Sequence, residues 1–301
     1  MGSFLRRLIL FFSIAIVFFG LASYYLIKNN NEEYQFLYRY QLDKIKQTKQ
    51  ISTLFVGDSS LGNAIDSDEF SRLSSQSSIN CALTGLYGYE GSYNILKIAH
   101  KYHPEIENVV IMQTLDMQTR PLSYAGYMRT TNSANDFMEL SIREKIYFVR
   151  EFSYYVKSIR LNYSANKEKI IENDYIQQAQ RKDVPYAYVV EELNIGAINP
   201  EKNKFLARIV KYCRNNNLNL IYINGPIHEE IASRSDSYVD TANKIISETG
   251  VQLVSDIVSI KENDLGDSVD HIRPDLKKEY TIRYYELVKK YLKNRNERVA
   301  M

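Results

Sequence analysis

Ile51-Ser52-Thr53-Leu54-Phe55-Val56-Gly57-Asp58-Ser59-Ser60 is a β-rich run that breaks off in Gly-Asp-Ser. Five or six β-branched and aromatic residues in a row predict a buried strand. Gly57 lets the chain turn sharply at its end. Ser59 then projects from the carboxyl end of a sheet, where open α/β folds gather their ligands. Gly-Asp-Ser is also ordinary turn chemistry, so a functional reading of Ser59 needs partners further along.

Those partners need more sheet, and the chain supplies it. Ser78-Ile79-Asn80-Cys81-Ala82-Leu83 predicts a second strand, closed by a loop carrying Gly85. Tyr93, Leu96, Ile98, Ala99 and Tyr102 form a helical stripe that stops before Pro104, as the residue preceding a proline requires. Asn108–Gln113 is a continuous apolar run, the pattern of a parallel strand covered on both faces. After a break, Glu201 to Asn216 predicts a helix, Leu218 to Ile223 a strand, Ser237 to Glu248 a helix ended by Gly250, and Val251 to Ser255 a fifth strand. A last helix runs from Asp275 to about Asn294. Strands alternating with helices at this spacing predict an α/β fold with a doubly wound, parallel, five-stranded sheet in three layers. The interruption, about 115–200, is rich in Tyr, Lys and Asn and helix-like over Ile142 to Ile159 and Lys167 to Gln180. It is expected to be an insertion covering the carboxyl edge of the sheet.

Upstream, Leu8 to Ile27 is a run of twenty residues without a charge. In a helix it would rise about 30 Å, the thickness of a bilayer's hydrocarbon core. Arg6 and Arg7 precede it, which orients residues 1–7 towards the cytoplasm and the rest outward. The expected organisation is a tail (1–7), a transmembrane anchor (8–27), a polar stalk (28–50) helical in its second half, and an extracytoplasmic domain (51–301). A cleaved signal peptide, cut near Ala22, is the alternative, and either reading exports the domain.

Composition narrows the function classes. The formal charge is +2, from 38 basic and 36 acidic side chains, with no basic block, so nucleic acid is not an expected partner. The 25 tyrosines, with no tryptophan, suit either a sugar-like groove or a compositional drift. Cys81 and Cys213 stand in no metal-type or Cys-x-x-Cys spacing and are expected to be buried thiols. The glycines form no phosphate cradle. Neither a metal nor a cofactor is expected.

Of the four histidines, His100 and His103 lie on or beside a helix and are expected to pack. His228 follows a strand and can reach the carboxyl edge, and His271 lies in an acid-rich loop before the last helix. A serine after the first strand and a histidine after the last can meet above such a sheet. There the histidine takes the serine's proton, with a carboxylate on its other nitrogen fixing the tautomer. Gly85 can offer a backbone N–H to a developing oxyanion, whereas Asp58 is expected to hold its own loop by accepting from backbone N–H groups.

Val56-Gly57-Asp58-Ser59, Asn80 with Gly85, and Asp267-Ser268-Val269-Asp270-His271-Ile272-Arg273-Pro274 with Tyr280-Thr281 resemble, in order and spacing, the blocks of the SGNH (GDSL-type) hydrolase superfamily. The resemblance covers roughly Ile51 to Gln113 and Arg208 to Leu292. In layout the chain is most similar to the membrane-anchored branch, which includes the D-alanyl transfer protein of teichoic acid synthesis and enzymes that acylate surface polysaccharides. Gly225-Pro226-Ile227-His228 matches a Pro-x-His loop of that branch. The resemblance implies a flavodoxin-like fold, Ser59 as nucleophile and His271 as base, and a glycan or teichoic-type acceptor with an acyl donor. It also implies that envelope biosynthesis proteins are possible partners. Two positions depart from the pattern. Where an asparagine would serve the oxyanion, the chain reads Gln113-Thr114-Leu115-Asp116, so that donor is lost or replaced by Gln113, with Asp116 and His228 as further candidate binding residues. The acid's usual place is Ser268, flanked by Asp267 and Asp270. An adjacent residue reaches its neighbour's ring poorly, so Asp267 is preferred. Both departures also fit a non-catalytic scaffold of the same fold in a polysaccharide assembly or export complex.

Overall fold

The computed structural model describes residues 2–28, 33–122, 124–131, 133–150, 171–172, 174–179 and 190–293. Its centre is a five-stranded parallel sheet: β1 Thr53–Gly57, β2 Ser78–Ala82, β3 Asn108–Gln113, β4 Asn219–Asn224 and β5 Gln252–Val254, in the spatial order β2-β1-β3-β4-β5. Every residue of β1 and β3 is buried, because helices cover both faces of a sheet made by crossover connections. Right-handed crossovers place the connections from β1 to β2 and from β2 to β3 on opposite faces. Gly88–Tyr102 therefore packs beside Lys204–Asn215 on one side, and Ser67–Ser74 beside Lys277–Val288 on the other. The chain reverses direction across the sheet at β1, so the carboxyl ends of β1 and β3 flank the switch point where such folds bind ligands. This is the doubly wound architecture expected.

Local signals account for the helix ends. Asp66 caps Ser67–Ser74 by accepting from Glu69 N–H, the usual way an orphan donor is satisfied. Gly250 adopts φ +81° after Asp236–Ser247, a left-handed stop that glycine makes without strain.

Two expectations are corrected. Within the expected stalk, Glu33–Gln47 is helical, as expected of its second half, but it does not stand free of the domain. Its Leu37, Tyr38 and Ile45 belong to the main core, and Gln41 Nε2 donates to the carbonyl of Ala82 at 2.9 Å. His103 Nε2 meets the Ile45 carbonyl at 2.7 Å, so the helix is bolted to the domain by apolar contact and hydrogen bonds together. The lysines that suggested a stalk lie on its outer face or, like Lys44, bridge inward to Asp174 at 3.1 Å. Nor is Lys167 to Gln180 a helix where it is described. Ile171–Glu172 and Tyr175–Ile176 pair antiparallel, turning at Asp174 with φ +72°. The rest of that stretch, and the expected helix from residue 151 onward, lie outside the described residues.

The tyrosines are a core feature. Seven of the largest fully buried side chains are Tyr87, Tyr89, Tyr127, Tyr222, Tyr238, Tyr280 and Tyr284. Buried hydroxyls need partners, and two of these bonds tie distant segments together: Tyr238 to the Leu115 carbonyl at 2.7 Å and Tyr89 to Tyr222 at 2.9 Å. Cys81 and Cys213 are both buried and free, and burial pushes each thiol up to about 12.

Gly2–Lys28 is one α-helix. Its described side chains include Phe4, Ile9, Leu10, Phe11, Phe12, Ile14, Val17 and Phe18, all exposed. Among the described residues no helix is long and apolar enough to cross a membrane. The side chains of 21–34 are not among those described.

Truncating Ile45 should cost about 2–5 kcal/mol of unfolding free energy, the range for a buried isoleucine cut to alanine. Lys46→Ala on the exposed face should stay within about 0.5 kcal/mol. Urea melts of the two variants against the parent chain measure both, and equal midpoints would detach this helix from the core.

Candidate active site

The site begins with a backbone that only glycine permits. A Cβ on Gly57 would fall 1.8 Å from the carbonyl oxygen of Met112 in β3, so β1 and β3 close up here and the chain can turn directly into the helix Ser59–Ala64. Asp58 caps that helix. It is buried, and its carboxylate accepts from Ser60 N–H at 3.0 Å, Ser60 Oγ–H at 2.6 Å and Thr114 N–H at 2.9 Å. One side chain thus locks the ends of β1 and β3 together, the loop-holding role expected of it. Burial pushes its carboxyl up to about 6, partly opposed by the Ser60 and Thr114 hydrogen bonds and by Arg120, while Asp270 adds to the rise.

Ser59 is the first residue of this helix and is half-buried. Among the described residues no side chain hydrogen-bonds its hydroxyl. Its carbonyl accepts from Asn63 Nδ2 at 2.8 Å.

His271 lies in the loop before the last helix, its Nδ1 2.7 Å from Asp267 Oδ1 and its Nε2 3.7 Å from Asp270 Oδ1. Asp270 in turn accepts from Ser268 Oγ–H at 2.5 Å. Asp267 therefore holds the ring and Asp270 stands beside the nitrogen that remains. Burial works to lower the pKa of His271, but the charge of Asp270, the hydrogen bond and charge of Asp267 and the charge of Asp58 outweigh it, and the net shift is upward. Burial likewise works to raise Asp267, yet its bonds to His271 and to Ala179 N–H hold it below the usual carboxylate range.

Two described residues of the insertion, Gln178 and Ala179, join the serine and histidine segments. Gln178 Nε2 donates to Asn63 Oδ1 at 2.8 Å and to the Ile272 carbonyl at 2.6 Å, and its Oε1 accepts from Asp267 N–H at 3.2 Å. Ala179 N–H donates to Asp267 Oδ2 at 2.9 Å. A chain of hydrogen bonds therefore runs from the Ser59 carbonyl through Asn63 and Gln178 to Asp267 and His271. Neither Gln178 nor Asn63 announces itself in the sequence, because an amide in an irregular segment has no periodicity or spacing to betray it.

The remaining candidates divide. Gly85 follows β2, next to the Ser59 turn: Gly57 pairs with Ala82 in register, and Leu83 N–H donates to the Gly57 carbonyl at 2.9 Å. Gln113 is fully buried and donates from Nε2 to Ser92 Oγ at 3.2 Å, on the side of Gly88–Tyr102. Asp116 is half-exposed and pairs with Arg120 at 2.9 Å. His228 has both ring nitrogens engaged in holding the fold: Nδ1 accepts from Glu230 N–H at 3.2 Å and Nε2 faces Glu262 at 3.0 Å. His100 and His103 pack, against Tyr212 and Glu105 respectively.

No family model matches the chain, and no curated protein is similar to it. Among solved structures, one from Streptococcus pneumonia, provisionally described as a platelet activating factor, is similar over 93% of this chain and 99% of its own, at 15% identity and a TM-score of 0.44. At that identity and score the likeness says nothing about chemistry.

The carboxylates around His271 set its titration. In a proton NMR titration the ring should lose its proton above the ordinary value of 6.5. Asp267→Asn removes the charge at Nδ1 and should bring the midpoint down. A wild-type midpoint at or below 6.5, the ordinary value, would contradict this geometry.

Proposed function

We propose that the chain is an SGNH-type serine esterase or O-acyltransferase that works outside the membrane on cell-envelope glycans or teichoic-type polymers. The observation that carries this is the ordered His271–Asp267 pair, linked by a hydrogen-bond chain to a turn that presents Ser59 with its hydroxyl uncommitted among the described residues. In this reading Asp267 keeps Nδ1 protonated, leaving Nε2 as the base. Ser59 Oγ attacks an ester carbonyl and its proton passes to Nε2. The leaving alcohol then departs with that proton, giving an acyl-Ser59 ester. Water or an acceptor hydroxyl, deprotonated by the same ring, resolves the ester.

The membrane-anchored branch is favoured within this reading for two reasons. In the sequence, 8–27 carries no charge and has the length of a bilayer's hydrocarbon core, and Leu8, Ile9, Leu10, Phe11, Phe12, Ile14, Val17 and Phe18 are exposed apolar side chains that lipid would cover. A glycan acceptor rests on the resemblance alone. A non-catalytic scaffold is favoured by a separate observation: Gln113, the nearest substitute for the missing asparagine, is turned away from Ser59 to Ser92.

Three measurements test the reading. A fluorophosphonate should label the full chain in detergent, and Ser59→Ala and His271→Ala should each abolish labelling; an unlabelled, folded wild type would favour the scaffold. The base works only when neutral and its pKa is raised, so kcat/KM should climb as pH rises through a midpoint above the ordinary 6.5 and stay high beyond it. A rate falling over that interval would exclude His271 as base. The full chain should sediment with membranes and resist extraction by carbonate, and release into the soluble fraction would point to cleavage near Ala22 instead.

A further inference from the structure

We propose that Arg120 is a catalytic residue of this site, its Nη1–H donating to the carbonyl oxygen that becomes negative when Ser59 attacks. The proposal rests on the serine-acylation reading above and adds to it the principal donor of positive charge.

The geometry is that of a fixed arm with one free hand. Arg120 Nε and Nη2 are both committed to Asp116, at 3.2 Å and 2.9 Å, which sets the plane of the guanidinium. Nη1 makes no hydrogen bond among the described residues. It lies against Gly85, so close that a Cβ there would fall 2.0 Å from it. Gly85 is on the loop leaving β2 and Ser59 on the turn leaving β1, and the two strands are paired neighbours. The Gly85 N–H is likewise uncommitted among the described residues. A glycine there leaves room for the arginine, beside the carboxyl ends of β1 and β2 from which the Ser59 and Gly85 loops leave.

The electrostatics agree. The charge of Arg120 acts on Asp58, next to Ser59, and Asp58 and Asp270 act on Arg120 in return. The guanidinium is therefore part of the same charge cluster as the carboxylates beside Ser59 and His271. A cavity of about 240 Å³ lies on the outer side of Gly85 and Arg120, lined also by Leu86, Tyr124 and Lys202; neither Ser59 nor His271 lines it. Lys202 is engaged away from the serine turn: its Nζ donates to the Pro121 carbonyl at 3.0 Å and faces buried Glu90 at 3.7 Å.

In the step itself, the Ser59 Oγ–C bond forms while the carbonyl π pair moves onto oxygen, and the serine proton goes to His271 Nε2. Arg120 Nη1–H and Gly85 N–H hold that oxygen until the pair returns, the bond to the leaving oxygen breaks, and the leaving group takes the proton from His271. A guanidinium suits this place because it stays charged at every working pH and its plane is already set by Asp116.

The test is steady-state hydrolysis of p-nitrophenyl acetate, a neutral ester, by the full chain in detergent, with fluorophosphonate labelling in parallel. Arg120→Ala should lower kcat by about 10²–10³, the loss seen for one oxyanion donor, with KM little changed. Arg120→Lys, which keeps the charge and loses the fixed plane, should recover part of it. Gly85→Ala, whose methyl displaces Nη1 without removing the charge, should lose activity in the same direction, and it serves where Arg120→Ala does not fold. Three results overturn the proposal. Unchanged kcat on the neutral ester does so directly. A loss seen only as raised KM on an ester with an anionic group would make Arg120 a contact for substrate charge. A wild type that neither turns over nor labels removes the acylation reading and the proposal with it, whereas a labelled wild type with an unaffected Arg120→Ala removes the proposal alone.

Discussion

The buried carboxylate of Asp58 is the constraint on which the site depends. Three donors from two strand ends converge on it, and Gly57 lets those ends approach within contact of one another. A carboxylate taken out of water is costly unless its lone pairs are met by donors, and here those donors hold together the two loops at the switch point. Ser59 is placed as a by-product: it is the next residue of a turn whose geometry has been decided by its neighbour.

The second fixed point is made from the insertion. Gln178 satisfies groups of both the serine helix and the histidine loop, so the two halves of the site are registered by a residue belonging to neither. Tyr175 supports the same arrangement from below: its ring sits against Gly62 and its hydroxyl donates to the Leu83 carbonyl at 3.0 Å. The carboxylates then act at longer range. Asp267, Asp270 and Asp58 all favour the cationic ring of His271, and the last two also act on Arg120.

Much of this architecture is legible in the amino-acid sequence. Continuous apolar runs mark β1 and β3 because both faces of a parallel strand are covered, whereas the order of the strands is seen only in the fold. Ser59, Asp267 and His271 are readable because chemistry-bearing residues fall just after strands or just before a helix. What is not legible depends on tertiary contact. Glu33–Gln47 has a mixed, lysine-bearing sequence, and only the groove that receives Leu37 and Ile45 makes it core. The pairing of Ile171–Glu172 with Tyr175–Ile176 depends on Asp174 being held by Lys44, far away in the chain. The turn of Gln113 towards Ser92, rather than into the site, is a rotamer choice made by packing.

The helix Glu33–Gln47 has a mechanical consequence. Because it is core, the folded domain begins at residue 33, and four residues separate it from Lys28 at the end of the first helix. Even fully extended, so short a leash spans less than about 20 Å. With residues 8–27 in a bilayer, the domain would be confined to a thin layer against the lipid surface, sampling substrates in two dimensions. If so placed, it would meet ligands delivered at the lipid surface more readily than ones far from it.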